Sequence, residues 1–116
     1  MNESILKTKS YDFAIKIVKT CKELCERRER ILSKQLLRSG TAIGALVREA
    51  EFGQSKADFS SKLNIALKEA NETDYWLSLL KDTGYIDDTA FQQLSPLCKE
   101  LIRMLVASIK TIKNNQ

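Results

Sequence analysis

The chain contains no histidine. It therefore lacks the side chain most often used as a general base and as a metal ligand. The three cysteines, Cys21, Cys25 and Cys98, are odd in number and include no Cys-x-x-Cys pair. Neither a zinc set nor a disulfide framework is expected from them. Reduced, buried thiols and a cytoplasmic location follow as expectations. There is no apolar run of about 18 residues, so no membrane partner is expected. Met1 to Ser10 carry charge and no apolar stretch, which argues against a secretion signal. A phosphate-binding Gly-x-x-x-x-Gly-Lys loop is missing. So is any run of alternating apolar and polar residues that would mark a strand. With one proline and four glycines in 116 residues, little interrupts helical periodicity. A length of 116 residues suits one domain, 1–116, with a modest core.

What is present is a succession of helical stripes. Phe13, Ile17, Cys21 and Leu24 predict a first helix over about Ser10 to Arg28, with Tyr11, Ala14, Val18 and Cys25 widening the stripe. Leu32, Leu36, Ser39, Ile43, Leu46 and Ala50 predict a second, from about Ile31 to Phe52. Its middle is small: Gly40 and Gly44 lie one turn apart, at about 1 kcal/mol each against alanine. Such a cost fits a close helix contact, and antiparallel pairing about Gly53 would set the small seam of Ser39, Gly40 and Ile43 against the third helix. Gly53 is placed to end the helix in a left-handed cap. Ser55 and Asp58 then resemble a capping box for a third helix. Phe59, Leu63, Ala66, Ala70, Thr73, Leu77 and Leu80 alternate at spacings of four and three, a bundle seam. Ile65, Trp76 and Leu79 form a second face of that helix, a candidate oligomer interface. A fourth helix starts near Asp87, and Ser95-Pro96 either splits or kinks it. The expected fold is all-α, an antiparallel up-down-up-down four-helix bundle.

Two segments carry a resemblance. They are Gln35-x-x-Arg38-Ser39-Gly40-Thr41-Ala42-Ile43-Gly44-Ala45 and Ala66-Leu67-Lys68-Glu69-Ala70-Asn71-Glu72-Thr73-Asp74-Tyr75-Trp76-Leu77. In them the chain resembles the bacterial 23S rRNA intervening-sequence proteins. That family also includes the accessory variability protein of diversity-generating retroelements. The likeness runs from about Tyr11 to Ile112. It implies an antiparallel bundle that assembles as a homo-oligomeric ring, typically a pentamer. In the retroelement branch it further implies nucleic-acid binding beside a reverse transcriptase. The chain departs from the family at Ala42, often serine there, and at Leu46, often asparagine.

The charged residues supply two candidate sites. Antiparallel pairing about Gly53 sets Arg38 level with Lys68, and hence near Glu69 and Glu72. An Arg38–Glu69 or Arg38–Glu72 pair is the favoured reading, since it suits the two-pronged guanidinium; a grip on phosphate is the alternative. Asn71, Glu72, Thr73 and Asp74 point in successive directions around a helix, so no metal site is expected there. Trp76 reads as an interface or core anchor, with base stacking as the alternative.

The second site is electrostatic. Residues 1–48 hold eleven Lys/Arg against five Asp/Glu, and residues 49–116 hold eight against ten. Lys16, Lys19, Lys22, Arg27, Arg28, Arg30 and Lys34 make the densest basic cluster, with Glu23, Glu26 and Glu29 among them. Such a cluster can neutralise RNA or DNA phosphates without reading sequence, best when an oligomer repeats it. Asp87-Asp88 is explained by helix capping. The expected function is therefore non-catalytic: a basic, homo-oligomeric bundle that binds RNA or DNA non-specifically and uses no cofactor. The alternative is a structural or protein-interaction module with no nucleic-acid role.

Overall fold

A computed structural model describes residues 2–114. Four helices follow one another: α1 (Asn2–Glu26), α2 (Ile31–Glu51), α3 (Lys56–Asp82) and α4 (Asp88–Asn114). Each packs on its two neighbours in the cycle α1–α2–α3–α4, and among the described residues no packing crosses a diagonal. With connections of four or five residues, this is an antiparallel four-helix bundle. Its core is the union of the apolar stripes. Leu6, Phe13, Ile17 and Leu24 come from α1, and Leu36, Ile43 and Val47 from α2. Leu63, Ala66, Ala70, Leu77 and Leu80 come from α3, and Leu94, Cys98, Leu101 and Leu105 from α4.

The helix ends explain the connections. α1 and α3 stop at the same end of the bundle and in the same way. Glu29 N–H reaches back to the Leu24 carbonyl at 2.8 Å, and Arg28 N–H to that of Cys25 at 2.9 Å. Tyr85 and Gly84 repeat this on Leu80 and Lys81, at 2.9 and 3.0 Å. Both are Schellman motifs, which need a left-handed residue. Gly84 (φ 83°) supplies it in one and Arg28 (φ 70°) in the other. Arg27 links the two turns, its guanidinium donating to the Tyr85 carbonyl at 2.8 Å. Ser55 caps α3 by accepting from Asp58 N–H at 3.0 Å, while the Asp58 carboxylate accepts from Gln54 N–H. Asp87 caps α4, accepting from Ala90 N–H at 2.8 Å.

Three expectations are corrected here, and one open alternative is decided. α1 begins at Asn2, eight residues before Ser10, because Leu6 continues the buried stripe. The first ten residues read as charged rather than periodic, and one leucine is too little signal. Gly53 does not end α2 in a left-handed cap: the left-handed residues are Arg28 and Gly84. A side chain at Gly53 would crowd the first turn of α3, its Cβ 3.2 Å from both Phe59 N and the Asp58 carboxylate. Ser95-Pro96 does not split the last helix, which runs through Pro96. Gln92 and Pro96 are both exposed, so water can satisfy the carbonyl that proline leaves without a donor.

The third correction concerns the small residues of α2. They do not all face α3. A Cβ on Gly40 would lie 2.9 Å from two carbons of Ile17, and one on Gly44 would lie 3.2 Å from the Ser10 carbonyl oxygen. Both glycines therefore bring α2 against α1. Ser39 turns the other way, its Oγ 2.9 Å from Thr73 Oγ1 on α3.

Candidate nucleic-acid interface

The contact between α2 and α3 is polar as well as apolar. Arg38 Nη1 donates to Glu69 at 3.0 Å, and Nη2 meets Glu72. Glu72 also accepts the indole N–H of Trp76 at 3.0 Å. Beneath this layer Ser39 and Thr73 pair in the dry interior. Arg38 is half exposed and both its prongs are engaged by carboxylates, so its charge is answered within the chain. Of the candidate interface residues, Ile65 is exposed, while Trp76 and Leu79 are half-buried and Trp76 packs on the core. Tyr75 sits edge-on to Trp76, with ring centroids 5.0 Å apart.

The seven candidate phosphate-binding residues do not form one patch. Lys16 lies on the α4 side of α1, among Lys9, Asp12 and Glu100. Lys19 is exposed on the outer face, and Arg28 lies in the loop. Arg27 is occupied by the Tyr85 carbonyl. Lys22, Arg30 and Lys34 do come together, around a groove of about 490 Å³ between α1 and α2. Its apolar lining is Val18, Cys21, Cys25 and Leu37, and Glu26 is its one carboxylate.

Ion pairs answer six of the 19 Lys and Arg side chains. Lys7, Lys9, Arg38, Lys62, Lys81 and Lys99 each have a carboxylate within 4.0 Å. Among the described residues, Lys22, Arg30 and Lys34 have none, nor do ten other Lys and Arg side chains; these three are set apart by bordering one groove. Coulomb attraction brings cations and anions together wherever the fold allows. Three neighbouring cations without such partners leave local positive potential for an external anion.

The groove continues along the helix pair. A second hollow of about 530 Å³ is lined by Tyr11, Ala14, Thr41, Gly44, Ala45, Arg48 and Phe52, with Lys7 and Glu49 at its margin. Small side chains make the floor because the helices meet closely at Gly44. Tyr11 and Val18, read from the sequence as part of the first helix's apolar stripe, are exposed instead. The Arg48 guanidinium carbon lies 5.7 Å from the Tyr11 ring centroid, within cation–π reach. Sequence reasoning missed Tyr11, Arg48 and Phe52 as possible site residues. A four-residue periodicity cannot separate the edge of a buried stripe from the wall of an open groove.

Two cysteines border the first hollow. Cys21 Sγ lies 3.4 Å from the Ser33 carbonyl, and Cys25 Sγ 3.4 Å from Ser33 Oγ. Burial, then the neighbouring Cys25, pushes the Cys21 thiol from 9.0 to about 12. Burial, then Asp74, does the same for Cys98 to about 12, against a smaller opposing pull from Lys99. Cys25 is exposed. A thiol-specific disulfide reagent at neutral pH should therefore modify Cys25 alone in the native protein, and all three cysteines after denaturation. Reaction of two or three native thiols would contradict this. The same shifts predict alkaline instability. Below pH 9 the thiols are protonated in both states. As pH rises from about 9 towards 12, the unfolded chain releases protons that the folded chain keeps, so stability falls. The melting temperature should decline over that range.

Among the described residues no helix is long and apolar enough to cross a membrane. Nor does any group of three or more Asp, Glu or Cys form a metal cluster there. Residues 2–107 match the family described as 23S rRNA-intervening sequence protein. A solved structure from Bacteroides thetaiotaomicron VPI-5482, described as a protein with unknown function from the S23 ribosomal protein family, is 50% identical. The match covers 95% of this chain and 99% of that one, with a TM-score of 0.92. No curated protein matches. The match extends through all four helices, and the chain belongs to the 23S rRNA-intervening sequence protein family.

Proposed function

We propose that this protein is a self-associating, non-catalytic bundle that holds nucleic acid by its phosphate backbone along the α1–α2 edge. The observation that carries the reading is the convergence of Lys22, Arg30 and Lys34 on one groove without carboxylate partners. A single copy offers few contacts. A homo-oligomer, a pentamer on the family resemblance, multiplies them and raises effective concentration. Ile65, Trp76 and Leu79 on the separate α3 face are the surface assigned to self-association. Ile65 is exposed there, which also gives the second reading, a pure protein-interaction module, its own footing.

Fluorescence anisotropy with labelled oligonucleotides, read across salt concentrations, tests the proposal. Three phosphate contacts per bound copy should weaken duplex binding about 40-fold between 50 and 200 mM salt. Absence of binding at the lower salt would remove the nucleic-acid reading and leave the protein-interaction one.

A further inference from the structure

The α1–α2 groove differs from a simple phosphate clamp in three respects. First, it is long. α2 spans about 30 Å at 1.5 Å per residue, and the two hollows divide that length between them. The first lies towards Arg30 and the second towards Phe52. Second, two aromatic rings stand in its wall. Tyr11 is 55% exposed and Phe52 is 79% exposed. Exposure of that degree leaves ring faces for another planar group. Third, the charge is arranged as a border. Lys22, Arg30 and Lys34 edge one hollow, and Arg48 edges the other beside Tyr11. Of the carboxylates in the walls, Glu49 is engaged by Lys62 at 3.4 Å. Glu26 is left without an ion-pair partner among the described residues, against those four cations.

We propose that the α1–α2 groove is a track for single-stranded nucleic acid, with bases stacked on Tyr11 and Phe52 and phosphates against Lys22, Arg30, Lys34 and Arg48. This deepens the proposed function and rests on it. The chemistry favours a single strand over a duplex. A duplex presents phosphates and groove edges, and it keeps its base faces stacked inside. An apolar trough flanked by open rings gives a duplex little to bind. A single strand offers both phosphates and base faces, the combination that sequence-tolerant single-strand proteins use. The shallow floor of Ala14, Thr41, Gly44 and Ala45 leaves space for bases between the rings and the cations.

The test uses the full chain in its native assembly, with a labelled 20-nucleotide oligouridine and a labelled duplex of mixed sequence and equal length. The wild type should bind the oligouridine at least about tenfold tighter than the duplex. Tyr11→Ala and Phe52→Ala should each weaken oligouridine binding by about tenfold and leave duplex binding unchanged. Tyr11→Phe, which keeps the ring, should bind like wild type. Circular dichroism checks that the variants fold, as their exposure implies they will. Equal affinity for both probes, or aromatic variants without effect, would overturn the single-strand track while leaving phosphate binding in place. Failure of both probes to bind would overturn the phosphate reading itself, and the track with it.

Discussion

Gly40→Leu is expected to cost about 3 kcal/mol or more and to lower the melting temperature by about 15 °C. The Cβ alone would sit 2.9 Å from Cγ1 and Cγ2 of Ile17. Those atoms branch directly from the Ile17 Cβ, and a β-branched side chain in a helix has essentially one rotamer. Ile17 is fully buried, so it has no solvent to retreat into. Leucine adds three further carbons at the same place. Its better helix propensity returns about 1 kcal/mol, which is less than the overpacking costs. Ile17→Ala alone should also destabilise, by about 2–4 kcal/mol, through the cavity it leaves. The two together should cost clearly less than their sum, because the new leucine occupies the space the isoleucine gave up. Thermal melts of the two single variants and the double variant measure this. Simple additivity would show that Gly40 does not meet Ile17.

Much of this architecture is legible in the sequence, and the reason is physical. A helix that buries one stripe must repeat apolar residues every three or four positions, and α2, α3 and most of α4 do so. Caps are equally local: Ser55 and Asp87 act through groups three residues away. The pairing partner of a small residue is not local. Gly40 and Ser39 are adjacent in sequence, yet one meets Ile17 on α1 and the other Thr73 on α3. A turn of 100° per residue separates them, and no composition rule says which neighbour stands on which side. The same limit hides the groove. Tyr11 and Val18 have the residue types of a buried stripe, and only the position of α2 shows that they flank a trough. Glycine favours the left-handed conformation, which is why residue type alone points to Gly53. The conformation occurs instead at Gly84 and Arg28, where the hydrogen bonds that close α3 and α1 fall.

The functional claim depends on where positive charge lies, and not on how much there is. Lys22→Gln, Arg30→Gln and Lys34→Gln combined lower the formal charge from +4 to +1. So do Lys9→Gln, Lys81→Gln and Lys99→Gln combined. The first set removes the cations around the groove. The second removes cations already engaged by Glu100, Asp88 and Asp74, none of which lines the groove. All six substitutions lie at the surface, where loss of an ion pair costs about 1 kcal/mol or less, so both variants should fold. A cation that binds phosphate also releases a counterion, so removing it from the groove shows in both affinity and salt slope. The decisive measurement is anisotropy of a labelled oligouridine against both triple variants, titrated with salt. The account predicts that the groove variant binds at least about 100-fold more weakly than wild type at low salt, with a salt slope shallower by about 2 per bound copy. It predicts that the ion-pair variant stays within about threefold of wild type, with its slope unchanged. Equal losses in the two variants would contradict it, because nucleic acid would then be responding to net charge alone.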